Sequence, residues 1–282
     1  MAARIGLGDV IEMTAGSAVV HIYPDQGGRL GQIVVDGDEL LRGPDSGAPL
    51  GWGYWGCYPL LPWCNRIPGG RFRFEGRDLE VPISWSDGTA IHGLTADVPW
   101  VVSERSDELV VEHVDVVTGP YRVRGSQRFA MTDTHLDLRL EVENLGPDRV
   151  PVGLGVHPWF RAGIVAVPAT MCWPGDTPMP TGAPVPVGVD EDLRAPRVPL
   201  PMDRCYTGLT GDEAVVPGLR LSWSAEATQV VVYSEAEGWV CVEPVTMAND
   251  GFALADAGIE GTGVVGLDPG ATFGVSYRFA WA

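Results

Sequence analysis

Residues 136–143 alternate strictly between apolar and charged side chains: Leu136, Leu138, Leu140 and Val142 against Asp137, Arg139, Glu141 and Glu143. A period of two puts the four apolar groups on one face of an extended strand and the four charges on the other. The segment therefore requires a sheet that is buried on one side and wet on the other. The turn Gly146-Pro147-Asp148 follows, and the run 150–156 is apolar again. Further on, Phe273, Val275, Tyr277, Phe279 and Trp281 alternate with smaller or polar residues. The stretches 229–233 and 239–242 read as a strand pair joined through 234–238, and Ala18–Tyr23, Arg71–Phe74 and 109–117 as shorter strands. No segment sustains an apolar period of 3.6, and 37 Gly with 24 Pro oppose long helices. The pattern predicts an all-β chain, a sandwich or a barrel, with very little helix.

The least regular part is 168–201, which is rich in proline. Such a stretch is either a linker between domains or a long functional loop. Candidate functional residues stand on both sides of it and must converge to act together. Residues 1–282 are therefore expected to form one domain, with 168–201 as a loop across it.

The formal net charge of −18 disfavours nucleic acid and anionic membrane surfaces as partners and suits a neutral ligand. All 19 basic residues are arginine. A chain without lysine cannot form a Schiff base, anchor pyridoxal phosphate or supply the phosphate-binding lysine of a P-loop. The five cysteines, at 57, 64, 172, 205 and 241, are odd in number and include no CxxC pair, which predicts reduced thiols in a cytoplasmic protein. The first residues lack the apolar core of a signal peptide, and no apolar run reaches membrane-spanning length.

Gly261-Thr262-Gly263-Val264-Val265-Gly266 spells the dinucleotide fingerprint GxGxxG, but Leu267-Asp268-Pro269-Gly270 follows where a helix would have to begin. Nucleotide binding is not expected. There is no GxSxG, and His21, His92, His113, His135 and His157 form neither HxH nor HExxH, so no hydrolase, metal or cofactor is expected. Five other segments each set a polar or ionisable residue in apolar or turn-like sequence. They are Asn65-Arg66-Ile67, Ile91-His92-Gly93, Val156-His157-Pro158-Trp159-Phe160, Met202-Asp203-Arg204-Cys205-Tyr206 and Cys241-Val242-Glu243-Pro244-Val245-Thr246.

Each of these has an ordinary structural reading. His157, beside Trp159 and Phe160, suits a satisfied core histidine, with Pro158 fixing an extended or turn backbone. His92-Gly93 suits a turn, Arg66 a surface ion pair, Asp203 a turn in a proline-rich loop and Glu243 a wet strand edge. Together they supply two imidazoles, two carboxylates and one guanidinium. That set can hold a neutral polyol and move protons on and off it.

In order and spacing these segments resemble the aldose 1-epimerase (galactose mutarotase) family. Asn65-Arg66-Ile67, Gly70-Arg71-Phe72, His92-Gly93 and Trp100 resemble its N-terminal signature. His157-Pro158-Trp159-Phe160 resembles the segment of its general acid, and Glu243-Pro244-Val245-Thr246 that of its base. Asp203 resembles the Asp of an Asp-His-x-aromatic element, with Arg204 in place of the histidine. The resemblance runs from about Asn65 through the C-terminal strands; Gly27-Gly28-Arg29-Leu30-Gly31 matches loosely.

It implies a single large antiparallel β-supersandwich with a sugar cleft on one face. The implied activity is interconversion of the α and β anomers of a free aldose, without cofactor or metal. The implied roles are Glu243 as base, His157 as imidazolium acid, and Asn65, Arg66, His92 and Asp203 as ligands of the sugar hydroxyls. Trp159 or Trp63 would stack on the sugar. A nearby carboxylate is expected to raise the pKa of His157. Two other readings use the same residues. A carbohydrate-binding protein without turnover needs no acid–base pair. A hexose-6-phosphate 1-epimerase needs a basic pocket, to which Arg71 and Arg73 would contribute. His21, His113 and His135 are expected to be structural.

Overall fold

In the computed structural model, which describes residues 7–46, 51–175, 179–234 and 238–281, strands make up 52% and helix 5%, as the alternation and the turn residues predict. The one α-helix among the described residues is the short Gly251–Asp256. Pro178, the middle of the 234–238 connection and the first six residues lie outside the described residues.

Two large sheets dominate, and their strand pairings are all antiparallel. The first runs in the order Ile11–Ala15, Ala18–Tyr23, Arg29–Val35, Cys57–Leu60, Gly155–Arg161, Trp239–Val245, Gln229–Ser234, Met202–Leu209, Ala169–Cys172, Val185–Pro186, with Asp38–Glu39 paired to Arg29–Val35 off this path. The second runs Val101–Arg105, Leu109–Thr118, Tyr121–Met131, His135–Asn144, Thr272–Ala280, Leu219–Trp223, Glu213–Val216.

The register of the second sheet explains the alternations seen in the sequence. Leu136 pairs with Phe279, Leu138 with Tyr277, Leu140 with Val275 and Val142 with Phe273. Both apolar rows thus fall on one face, buried except at the half-buried Phe273, while Asp137 lies on the other side and pairs with Arg278 at 2.7 Å. These residues join Val20, Leu60, Val156 and Val242 of the first sheet in one continuous apolar core. The GxGxxG segment leads into the strand Val265–Leu267, paired with Val150–Val152, and no helix follows it.

Two central strands of the first sheet depart from alternation. Gly155–Arg161 is buried except at Arg161, and Trp239–Val245 is buried except at the half-buried Trp239. Val156, Phe160, Val240 and Val242 belong to the core. His157, Trp159, Cys241 and Glu243 point to the opposite face, yet they are buried too. The reason is a cover over that face built from the residues around Trp52, Tyr54, Trp85 and His92. Arg29, itself buried, ties this cover down: its Nη1 donates to the carbonyls of Trp52 and Trp55 and its Nη2 to that of Ala96.

Elsewhere, Glu112 is fully buried. Its Oε1 accepts from Gln127 Nε2 at 3.0 Å and its Oε2 has no partner. Burial pushes its carboxyl up from 4.5 to about 8, against the hydrogen bond from Gln127. Between those values the folded state holds a proton that the unfolded chain has lost. Stability therefore falls as pH rises through this window and levels off above it. Glu112→Gln keeps the oxygen that accepts from Gln127 and cannot ionise. Urea unfolding is expected to show the variant gaining on wild type by on the order of a few kcal/mol between pH 4 and pH 9. A difference that does not grow with pH would refute the account.

Candidate active site

The first sheet places the acid–base candidates by register. Pairing of Gly155 with Val245 and of Trp159 with Cys241 sets His157 opposite Glu243. On either side, Tyr58 pairs with His157 and Val231 with Glu243, and Asp203 lies beyond, paired with Tyr233. His157 Nε2 stands 3.2 Å from Glu243 Oε1, and both side chains are almost fully buried.

The other candidates come from turns beyond the sheet. Asn65 and His92 both adopt left-handed backbone, at φ 55° and 58°. Asn65 Oδ1 accepts from the Arg66 amide, and its carbonyl accepts from the His92 amide at 2.9 Å. The two-stranded ladder of Arg66–Pro68 and Thr89–Ile91 continues this link. Segments far apart in the chain are thereby held as one wall of the site. The Arg66 guanidinium donates from Nε to Asp87 Oδ2 at 2.9 Å, so the surface ion pair that its type suggested exists while its side chain also lines the cleft. Burial raises the Asp87 carboxyl, but hydrogen bonds from Thr89 and Arg66 outweigh that and hold it below its usual range.

Asn65, Arg66, His92, His157, Trp159, Asp203 and Glu243 all line one cleft of about 270 Å³. That is just below the roughly 300–1,000 Å³ of drug-sized sites and suits a single small ring. One expectation is corrected here. Trp63 is fully buried beside Tyr121 in the core and does not reach the cleft. The aromatic lining is instead Trp52, Tyr54, Tyr58, Trp85, Trp159 and Tyr233. Trp159 is held by its indole N–H, which donates to the Gly53 carbonyl at 3.1 Å. Tyr58 stacks on His157 with ring centroids 4.7 Å apart, and His92 meets His157 edge-on at 5.0 Å. The signal for this cover was the density of Trp, Tyr and Gly in 51–63, which does not by itself indicate which rings point inward.

A second correction concerns protonation. The neighbouring carboxylate does not raise His157: burial dominates and pushes its imidazole well down, with Arg66 and Arg29 acting in the same direction. Burial likewise drives Glu243 well above the carboxylate range, and Asp203 adds to this while Arg66 opposes it. His92 is pushed well below its ordinary value by burial first, with His157 and Arg66 acting in the same direction. Asp203 is raised by burial, against Arg66 and Arg204. Both partners are thus driven toward their neutral forms, and the neutral pair has one proton to share between Nε2 and Oε1. The ion pair and the neutral pair are tautomers of equal net charge, so passing between them needs no proton from bulk water.

Arg204 turns away from this chemistry: it bonds Glu191 and the carbonyls of Trp173 and Gly175. Among the remaining histidines, His135 Nδ1 is engaged by Thr132 and Thr134, and His21 lies 3.6 Å from Glu12, both in structural surroundings.

A family model for aldose 1-epimerase matches residues 9–280. The uncharacterized protein YphB of Escherichia coli (strain K12) is 37% identical over 142 residues, which cover 48% of this chain and 47% of that protein. The chain thus spans about half the length of the curated relative it matches. A candidate aldose 1-epimerase of Escherichia coli K12, known from its crystal structure, superposes with a TM-score of 0.86 over 97% of this chain and 99% of that one, at 23% identity. A galactose mutarotase-like protein from Clostridium acetobutylicum gives 0.82 over 96% and 94%, at 19% identity. At these identities the two structures show a shared fold.

Proposed function

The chain belongs to the aldose 1-epimerase family, and on that footing we propose that it interconverts the α and β anomers of a free aldose by acid–base ring opening. The observation that carries this reading is the buried His157–Glu243 contact of 3.2 Å at the floor of the cleft. In the reacting tautomer Glu243 is ionised and His157 protonated. Glu243 takes the proton of the anomeric hydroxyl as His157 gives its proton to the ring oxygen, and the bond from C1 to that oxygen breaks. The open chain rotates about C1–C2. Glu243 then returns its proton to the aldehyde oxygen while His157 removes one from the attacking hydroxyl, closing the ring on the other face. Each transfer contributes roughly 10²–10⁴ in rate. Asn65, Arg66, His92 and Asp203 would hold the hydroxyls, and the aromatic walls would receive the apolar face of the ring.

A lectin-like protein would need the aromatic walls and hydroxyl ligands alone. The buried acid–base pair is unnecessary for binding and is costly to bury, which favours turnover. Polarimetry of a freshly dissolved aldose, with and without protein, tests the reading: anomer exchange no faster than in buffer would overturn it.

Free aldoses are expected to be turned over better than their 6-phosphates. Among the described lining residues Arg66 is the one arginine, its Nε is already engaged by Asp87, and the carboxyls of Asp203 and Glu243 stand in the same cleft. A phosphate dianion would meet no second arginine among those residues. Only ~1.4 kcal/mol of uncompensated desolvation gives tenfold, so kcat/KM should favour the free sugar by about tenfold or more. NMR exchange rates on matched pairs measure it, and a preference for the phosphate would move the assignment to the phosphosugar epimerases.

A further inference from the structure

Beside the acid–base pair stands a third group that the proposed reaction does not use. Cys241 lies two residues before Glu243 on the same strand face, opposite Trp159 on one neighbouring strand and Tyr233 on the other. One donor atom from each of His157, Cys241 and Glu243 lies within 4.8 Å of the other two, and all three residues are buried. We propose that these three side chains form a binding site for a thiophilic divalent cation of the zinc class, with one coordination position open to the cleft.

Imidazole nitrogen, thiolate sulfur and carboxylate oxygen are the three donor types zinc accepts. With bonds of about 2.0–2.3 Å, the edges of a tetrahedral site run roughly 3.3–3.8 Å. The His157–Glu243 edge is already 3.2 Å, and Cys241 is within a small side-chain adjustment of completing the face. All three donors stand on paired strands of one sheet, so the face is held by the backbone. His157 Nδ1 is buried without a hydrogen-bond partner, and the ring is held by stacking on Tyr58, which leaves Nε2 facing Glu243.

Charge favours occupation as well. A divalent cation with one thiolate, one carboxylate and a neutral imidazole sums to zero, which suits a site whose burial opposes net charge. The ion binds a thiolate and a carboxylate, so any protons on these groups leave for bulk water, and nothing is oxidised or reduced. His157 and Glu243 line the cleft, so the fourth position faces its solvent or sugar. The site does not depend on the function proposed above. Its consequence does: an ion on both members of the acid–base pair would stop anomer exchange.

Cobalt(II) is the probe. Titration of metal-stripped protein is expected to give one equivalent bound, with tetrahedral d–d bands and a thiolate-to-cobalt charge-transfer band, and zinc(II) should displace it. Cys241→Ser should lose the charge-transfer band and weaken binding at least about tenfold; Cys172→Ser, remote from the cleft, should keep both. Circular dichroism checks that each variant folds, and Glu243→Gln provides a second arm in which affinity should fall comparably. No charge-transfer band in wild type, a band retained in folded Cys241→Ser, or cobalt affinity unchanged in Glu243→Gln would overturn the site. Undiminished anomer exchange at saturating cobalt would place the ion off the pair and overturn it equally. A Cys241-dependent band in a protein whose metal-free form never exchanges anomers would uphold the site and remove the proposed function instead.

Discussion

Glu243→Gln is expected to lower kcat for anomer exchange by roughly 10²–10⁴ while leaving sugar binding mostly intact. The amide has nearly the shape of the carboxyl and can still accept a hydrogen bond from His157 Nε2, now 3.2 Å from Glu243 Oε1. It cannot accept the anomeric proton at neutral pH. KM should change far less, because Asn65, Arg66, His92 and Asp203 remain along the cleft. Polarimetric or NMR-exchange rates, read beside calorimetric affinity, separate the two effects. Near-wild-type turnover in the variant would exclude Glu243 as the base. Loss of affinity with no activity in either protein would instead indicate a binding protein.

A large effect on stability is expected at Gly93, next to His92. Its φ is +83°, and a Cβ there would lie 2.0 Å from the Leu61 carbonyl oxygen. That oxygen accepts from the Leu94 amide at 2.7 Å, and this bond ties the 61–66 segment to the turn that carries His92. Neither side can retreat without breaking the tie. Gly93→Ala is expected to destabilise by roughly 3–5 kcal/mol, the sum of left-handed strain and a backbone clash. Gly88→Ala is the control: its φ is +85°, but an added Cβ would meet nothing within 4 Å. It should lose only the roughly 1–2 kcal/mol of the left-handed backbone. Equal losses in urea unfolding would show that the close approach to Leu61 is unimportant.

The two corrections at the site share a cause. Trp63 and Trp159 are equally plausible stacking residues by type, and both are buried, yet only Trp159 lines the cleft. The protonation of His157 follows from how completely it is covered, which outweighs its carboxylate neighbour. The cover comes from residues around Trp52, Tyr54 and Trp85, held down by Arg29 from another strand. Neither the direction of those rings nor the depth of the pair beneath them has a local signature.

What the sequence determined by itself was whatever depends on neighbours a few residues apart. Alternation over 136–143 and 273–281 specified strands and their buried faces, because a period of two sorts side chains without reference to any other segment. Seven residues of the motif segments are among those that line the cleft. Tertiary structure alone decided the rest. Strand pairing between 155–161 and 239–245 brought His157 to Glu243, and the ladder between 66–68 and 89–91 joined Arg66 to the His92 turn. It also put Cys241 within reach of both members of the pair. Distances across paired strands, and the loss of water above them, are properties of contacts between segments distant in the chain. They set which groups meet and which protonation state each prefers.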